Sequence, residues 1–263
     1  MRLGAALASA LLVATSARAQ EAPQQAPFIT TPPEVVARML ELARTGPADV
    51  VLDLGSGDGR IVIQAARAHG ARGLGVDLDP ALVARARENA ARAGVADRAR
   101  FAVQDALRTD LSGASVVTIY LLPWLLERLE TRLLYELRPG ARIVTHAFPL
   151  GSWPADRIET VRLSRSHEGQ GDSSRIFLHV VPAQARGAWG AAGGWRMRIA
   201  QNYQRIDVEL EREGARLPVR VARLEGERIE IEGTGFDFRG HVRGGRIEGV
   251  LEGVGSLVFE RVP

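Results

Sequence analysis

The chain has 263 residues, 46% hydrophobic and 25% charged, which is globular usage and excludes a disordered chain. It has no cysteine, which excludes disulfides, thiolate metal sites and a cysteine nucleophile. All 34 basic residues are arginine, set against 31 acidic residues for a net charge of +3. The two signs are interspersed, as on a solvated surface and not as in a nucleic-acid footprint.

No apolar run reaches the roughly 18 residues that a membrane-spanning helix requires. Residues 1–19 read as an export signal: Arg2 gives a positive start, an apolar stretch follows, and Ala17-Arg18-Ala19 is an A-x-A cleavage site with the cut after Ala19. Export implies a periplasmic location. Residues 20–27, rich in Pro, Gln and Ala, read as a flexible lead-in. Residues 31–44 then read as a helix with Thr31 as N-cap, Pro32 at the first helical position and Glu34 completing the cap. Its apolar stripe is Val35, Val36, Met39, Leu40 and Ala43.

Short apolar runs at 49–54, 73–77, 100–103, 115–120 and 142–146 read as strands. Helical patterns at 60–69, 80–93 and 124–137 separate most of them; in the second, Leu82, Ala86 and Ala90 are expected inward. Strand and helix in alternation with short connections predict a doubly wound α/β fold, a mostly parallel sheet with helices on both faces. Runs near 158–163 and 175–181 lack a helix between them and predict an antiparallel hairpin at the sheet edge. The pattern changes after Pro182. Residues 183–194 read as a linker anchored by Trp189, and residues 195–263 hold about seven short alternating runs that predict a small all-β domain, a meander or barrel.

The chemistry-bearing segment is the run from Val51 to Gly59, Val-Leu-Asp-Leu-Gly-Ser-Gly-Asp-Gly. A strand enters a turn bearing Gly55, Ser56 and Gly57, and a helix follows; glycines let backbone approach a ligand. Asp77 ends the next strand, 22 residues beyond Gly55, where a carboxylate can accept both hydroxyls of a ribose. The glycines run G-x-G-x-G, with Arg60 where a dinucleotide fingerprint needs the third glycine. Asp53 stands two residues before the first glycine and favours a cationic ligand over a pyrophosphate. S-adenosylmethionine (SAM) has an amino group, a sulfonium and no phosphate. Asp105, after the third strand, is placed to accept from an adenine amine. Asp58 and Arg60 read as groups that order the loop. The five histidines are scattered without metal-ligand spacing, so no metal is expected; His146, ending the fifth strand, reads as a structural histidine in preference to one that faces the pocket.

These residues resemble the class I SAM-dependent methyltransferases over residues 28–182. More narrowly, the Pro-Phe-Ile-Thr-Thr-Pro-Pro-Glu-Val-Val of residues 27–36, the Asp-Leu-Gly-Ser-Gly-Asp-Gly-Arg of residues 53–60 and the Tyr-Leu-Leu-Pro of residues 120–123 resemble one family. It holds mitochondrial protein-lysine methyltransferases acting on the ADP/ATP carrier and the ATP synthase c subunit, with bacterial relatives. The resemblance implies a seven-stranded Rossmann-like sheet and methyl transfer from SAM to an amine nitrogen, of a protein lysine or a small molecule. It implies that Thr31 and Pro32 close over the cofactor, Gly55 and Gly57 pass its methionine part, Asp77 holds the ribose, Leu78 flanks the adenine and Asp105 holds its amine. Tyr120, after the fourth strand, is the candidate for orienting the nucleophile, with Leu121, Pro123 and Trp124 shaping the acceptor pocket. The residues also admit an exported binding protein that keeps the fold without catalysis, its β-tail docking a partner. A cytoplasmic location, where SAM is made, is the alternative to export.

Overall fold

A computed structural model describes residues 29–167 and 171–262; the export signal and lead-in at 1–27 lie outside the described residues. The first part of the chain runs α1 (Pro33–Leu42), β1 (Val50–Leu54), α2 (Arg60–His69), β2 (Arg72–Asp77), α3 (Pro80–Arg92), β3 (Ala99–Val103), β4 (Val116–Ile119), α4 (Pro123–Glu136), β5 (Arg142–His146), β6 (Arg157–His167) and β7 (Gly171–Val180). Prolines at the first helical positions start α1, α3 and α4, where the missing N–H costs nothing. Gly70, with φ +67°, ends α2. The cap expected at Thr31 is not formed. Pro32 occupies the N-cap of α1 and no side chain caps it. Thr31 is buried and bonds elsewhere. In α3, Val83 takes the buried position expected of Leu82, beside Ala86 and Ala90.

Seven strands form one sheet in the order β3-β2-β1-β4-β5-β7-β6. The first five are parallel, and β7 joins β5 antiparallel with β6 outside it, as the hairpin pattern predicts. The order reverses between β1 and β4, the place where such sheets open a crevice beyond the strands' carboxyl ends. On one face α1 and α2 cover Val51, Val116, Val144 and Ile176, and α2 and α3 extend that core over Phe101. On the other face α4 covers Leu52, Leu54, Val117, Ile119 and Ile143. Each fully buried aliphatic side chain of this kind stabilises by about 1.5–3 kcal/mol.

The rest of the chain is a second sheet: β8 (Gly187–Ala191), β9 (Trp195–Asn202), β10 (Arg205–Arg212), β11 (Ala215–Leu217), β12 (Val219–Glu225), β13 (Arg228–Gly233), β14 (Phe236–Arg243), β15 (Arg246–Leu251) and β16 (Gly255–Val262). The middle of the expected linker is therefore strand: β8 pairs with both β9 and β16, and Trp189 and Trp195 belong to the core of this sheet. A glycine-rich stretch forms a strand here because its backbone bonds on both sides replace what its side chains cannot supply. The two edge strands, β11 and β12, are separated in the chain only by Pro218, so the sheet curls until its edges meet there. Alternate residues such as Met197, Ile199, Ile229, Ile231, Phe238 and Phe259 fill the interior.

The barrel hangs from the amino-end side of the first sheet. Ala183 N donates to Gly226 O, and the Gly226 backbone packs on Gly140, ahead of β5. The turn between β9 and β10 locks onto the segment after β5: Tyr203 stacks on Trp153 at 5.6 Å and donates to Glu130 at 2.5 Å, while Trp153 Nε1 donates to Gln204. A cleft of about 580 Å³ lies between the two parts at this end. Three of the arginines that line it are engaged: Arg142 pairs with Asp49, Arg228 with Glu225, Arg243 with Glu227.

Gly59 shows how tightly α2 enters this fold. Its φ is +82°, and a Cβ there would lie 2.6 Å from Phe101 and 2.9 Å from Ala86. Gly59→Ala should lower unfolding free energy by about 2 kcal/mol or more, through strain and overpacking together, read as the midpoint of denaturant unfolding. An unchanged midpoint would contradict this account of the α2 start.

Candidate active site

The site is built by strand alternation. Register pairs Asp53 with Gly75 and with Thr118, and pairs Thr118 with Val144. Residues two apart share a face. Asp77, Asp53, Thr118, Tyr120, His146 and Ser174 therefore lie on the α1–α2 face, toward the carboxyl ends of β2, β1, β4 and β5 and the adjoining stretch of β7. The segment leading into α1 lies over this row. Apolar residues deeper on the same face form core; the polar ones near the edge do not.

Asp53 is 2% exposed and accepts a 2.7 Å bond from the Thr118 hydroxyl. Burial pushes its pKa from 3.8 up to about 7; the Thr118 bond opposes this, and the charges of Asp77 and Asp58 add to it. That coupling places three carboxylates around the glycine turn. Asp77 is partly exposed: its Oδ2 accepts from Gly57 N at 2.9 Å and its Oδ1 from Asp79 N at 3.0 Å, which fixes the carboxylate and leaves lone pairs on both oxygens. Gly55 and Gly57 both have positive φ, +81° and +51°. A Cβ on Gly55 would lie 2.7 Å from Leu121, so this glycine also makes room for the segment after β4. Ser56 is buried, and its Oγ has no hydrogen-bond partner among the described residues.

Asp105 follows β3 and accepts from Leu107 N at 2.8 Å, so it caps the turn after that strand. Since β3, β2 and β1 are neighbours, Asp105, Asp77 and Asp53 stand at three adjacent strand ends. Leu78 is 46% exposed beside them. Across the switch point, Tyr120 and Leu121 are partly buried, and Pro123 and Trp124 are exposed at the start of α4. Asp58 and Arg60 order the loop as expected. Burial works against the Asp58 carboxylate, but the Arg60 bonds outweigh it and hold its pKa down. Arg60 also donates to the Thr31 carbonyl at 2.8 Å, which ties the segment before α1 to the glycine loop.

Two polar members of the row, Thr118 and Ser174, carry no signal in the sequence strong enough to single them out. His146 is legible only as a histidine at a strand end. Its surroundings come from β7 and from the segment before α1, both remote in sequence.

The arrangement fits an adenosine sulfonium. A buried carboxylate with a raised pKa is relieved by a neighbouring positive charge, and a fixed, partly exposed carboxylate one strand away can take two hydroxyls. Arg60, at the end of the turn, is already paired with Asp58 at 2.7 Å and so offers little to a phosphate.

Comparison with known proteins agrees. Residues 53–157 match the family described as ANTKMT methyltransferase domain. A protein-lysine N-methyltransferase of Saccharolobus islandicus is 40% identical over 157 residues, which are 59% of this chain and 93% of that protein. The adenine nucleotide translocase lysine N-methyltransferase of Mus musculus is 38% identical over 129 residues, which are 49% of this chain and 56% of that relative. A crystal structure described as an RNA methyltransferase from Salinibacter ruber with S-adenosyl-L-homocysteine is 48% identical, with a TM-score of 0.54 over 59% of this chain and 95% of that one. The chain therefore belongs to the SAM-dependent methyltransferase family that contains these protein-lysine N-methyltransferases, and SAM is its cofactor.

Proposed function

We propose that the acceptor is the amine nitrogen of a protein lysine and that Tyr120 orients it. The observation that carries this reading is Tyr120 at the carboxyl end of β4, in the polar row, within the stretch that is similar to protein-lysine N-methyltransferases. SAM, when bound, supplies a methyl group on a sulfonium, a leaving group that is already activated. What remains for the chain is positioning and exclusion of water. In this reading Asp77 accepts the ribose hydroxyls, Leu78 covers the adenine and Asp105 accepts from its amine. Asp53 faces the positive charge across Gly55, Ser56 and Gly57, the turn that binds the cofactor. Thr31 and Pro32 cover the cofactor. Leu121, Pro123 and Trp124 shape the opening for the acceptor. A lysine amine must arrive unprotonated but can lose its proton to water, so no dedicated base is required.

The Salinibacter ruber structure is described as an RNA methyltransferase, but the balanced charge of this chain supports a protein acceptor. The test is transfer of tritium from labelled SAM, with protein extracts and RNA as separate acceptors. The chain itself contains no lysine, so label on lysine must belong to an added acceptor. Label recovered as methyl-lysine supports the proposal; label confined to RNA overturns it. Tyr120→Phe should lower turnover by about 10- to 100-fold with cofactor affinity unchanged. Asp77→Ala should weaken SAM binding by about 10- to 100-fold, measured by calorimetry on a variant whose melting curve shows it folded.

Asp53 gives a pH prediction. Below about pH 4 its carboxyl is neutral in both the folded and the unfolded chain. From there to about pH 7 only the unfolded chain ionises, so stability falls as pH rises; above that the penalty is complete. Asp53→Asn should therefore stabilise the cofactor-free protein near pH 8 by about 2–4 kcal/mol and leave it unchanged near pH 4. Equal effects at both pH values would contradict the assignment of a raised pKa.

Export is part of the proposal, supported by the Arg2 start and the Ala17-Arg18-Ala19 site. Amino-terminal sequencing of the protein recovered from cells should begin at Gln20, in a periplasmic fraction; a chain beginning at Met1 or Arg2 in the cytoplasm contradicts it.

A further inference from the structure

His146 is 0% exposed, at the carboxyl end of β5, yet it meets the candidate site on three sides. Its Nδ1 lies 3.3 Å from the Thr31 hydroxyl, and its Nε2 lies 2.7 Å from the Ser174 hydroxyl. Its ring lies 4.0 Å from the Tyr120 ring, tilted by 46°. A neutral imidazole has one donor and one acceptor nitrogen, and a hydroxyl can be either, so the two flanking hydroxyls suit either tautomer. Thr31 and Ser174 are themselves buried, at 5% and 3% exposure. Thr31 is also held through its carbonyl by Arg60. The segment before α1 is thus fixed at one point to the glycine loop and at another to β5.

This geometry explains why Thr31 does not cap α1. Capping would turn its hydroxyl toward the backbone of the first helical turn, where instead Pro32 serves as the N-cap residue. The hydroxyl goes to the imidazole.

We propose that His146 is a positioning residue that couples the Thr31–Pro32 cover to the seat of Tyr120. One nitrogen holds the cover, the other anchors the ring to β7 through Ser174, and the ring supports the aromatic that faces the acceptor. The idea rests on the roles given above to Thr31 and Tyr120. It predicts that cofactor affinity and turnover both depend on one buried side chain that touches neither cofactor nor acceptor.

The test is a double-mutant cycle read by calorimetric titration with S-adenosylhomocysteine, which needs no acceptor and so is independent of the lysine assignment. Thr31→Val and His146→Ala should each weaken binding by about fivefold, the weight of one hydrogen bond. The double variant should be no weaker than either single one. Losses that multiply, or unchanged affinity in His146→Ala, overturn the coupling. His146→Asn keeps an amide at the height of Nδ1 and removes the ring. It should restore affinity to within about twofold of the parent while turnover at saturating SAM stays about tenfold down, a split between KM and kcat. Affinity as weak as in His146→Ala, or full turnover, overturns the proposal. A lowered melting temperature with unaltered affinity and turnover is the signature of a purely structural histidine and overturns it too. Tyr120→Phe at full turnover would remove the orienting role of Tyr120 and leave the binding cycle standing, which separates the two failures.

Discussion

The register of four neighbouring strands is the constraint on which the site depends. In β2, β1, β4 and β5 the last residues on one face are Asp77, Asp53, Tyr120 and His146, while Gly75, Val51, Val116 and Val144 lie deeper on the same face. A slip of one residue in β1 would turn Asp53 into the α4 core and bring Leu52 and Leu54 to the site. Pairing with β2 and β4 on either side forbids it, because Val51 and the apolar residues opposite it would lose their cover. The hydrophobic core thus sets the chemistry: the same alternation that buries Val51, Val116 and Val144 beneath α1 and α2 carries Asp53, Tyr120 and His146 to the edge.

The site is also where the fold is least comfortable. A carboxyl group 2% exposed, with one hydroxyl donor and two carboxylates nearby, opposes folding wherever it is ionised. That strain has a use in a protein that binds a sulfonium, since a desolvated negative charge attracts a cation more strongly than a hydrated one. The glycine turn has a second function besides closeness to a ligand. Gly55 accommodates Leu121, and Gly59 accommodates Phe101 and Ala86, so the loop is held by the strands beside it as much as by its own bonds.

The barrel lies away from all this. Its contacts reach Gly140, Trp153, Glu130 and the start of β5, and the cofactor residues sit at the other ends of the same strands. Its outer face is a lattice of arginine and glutamate pairs across strands, among them Arg223 with Glu232 and Arg246 with Glu260. Such exposed pairs add little stability, and they keep an arginine-rich surface nearly neutral.

The sequence by itself determined the alternation of strands and helices, the edge hairpin, the run of short β-strands and the three carboxylates at successive strand ends, because these depend on local period and spacing. It also identified Asp58 and Arg60 as loop-ordering groups. Three things were decided only by tertiary structure. The stretch around Trp189 reads as linker because glycine and alanine lack strand propensity, but pairing on both sides makes it a strand. Thr31 reads as a cap because nearby Pro and Glu complete that signature, but a histidine 115 residues away takes its hydroxyl. His146 reads as structural because nothing local distinguishes it; its meaning lies in Thr31, Tyr120 and Ser174, which meet only when α1, β4, β5 and β7 are stacked. Local propensity is additive along the chain, whereas hydrogen-bond partners between distant segments exist only after the sheet has closed.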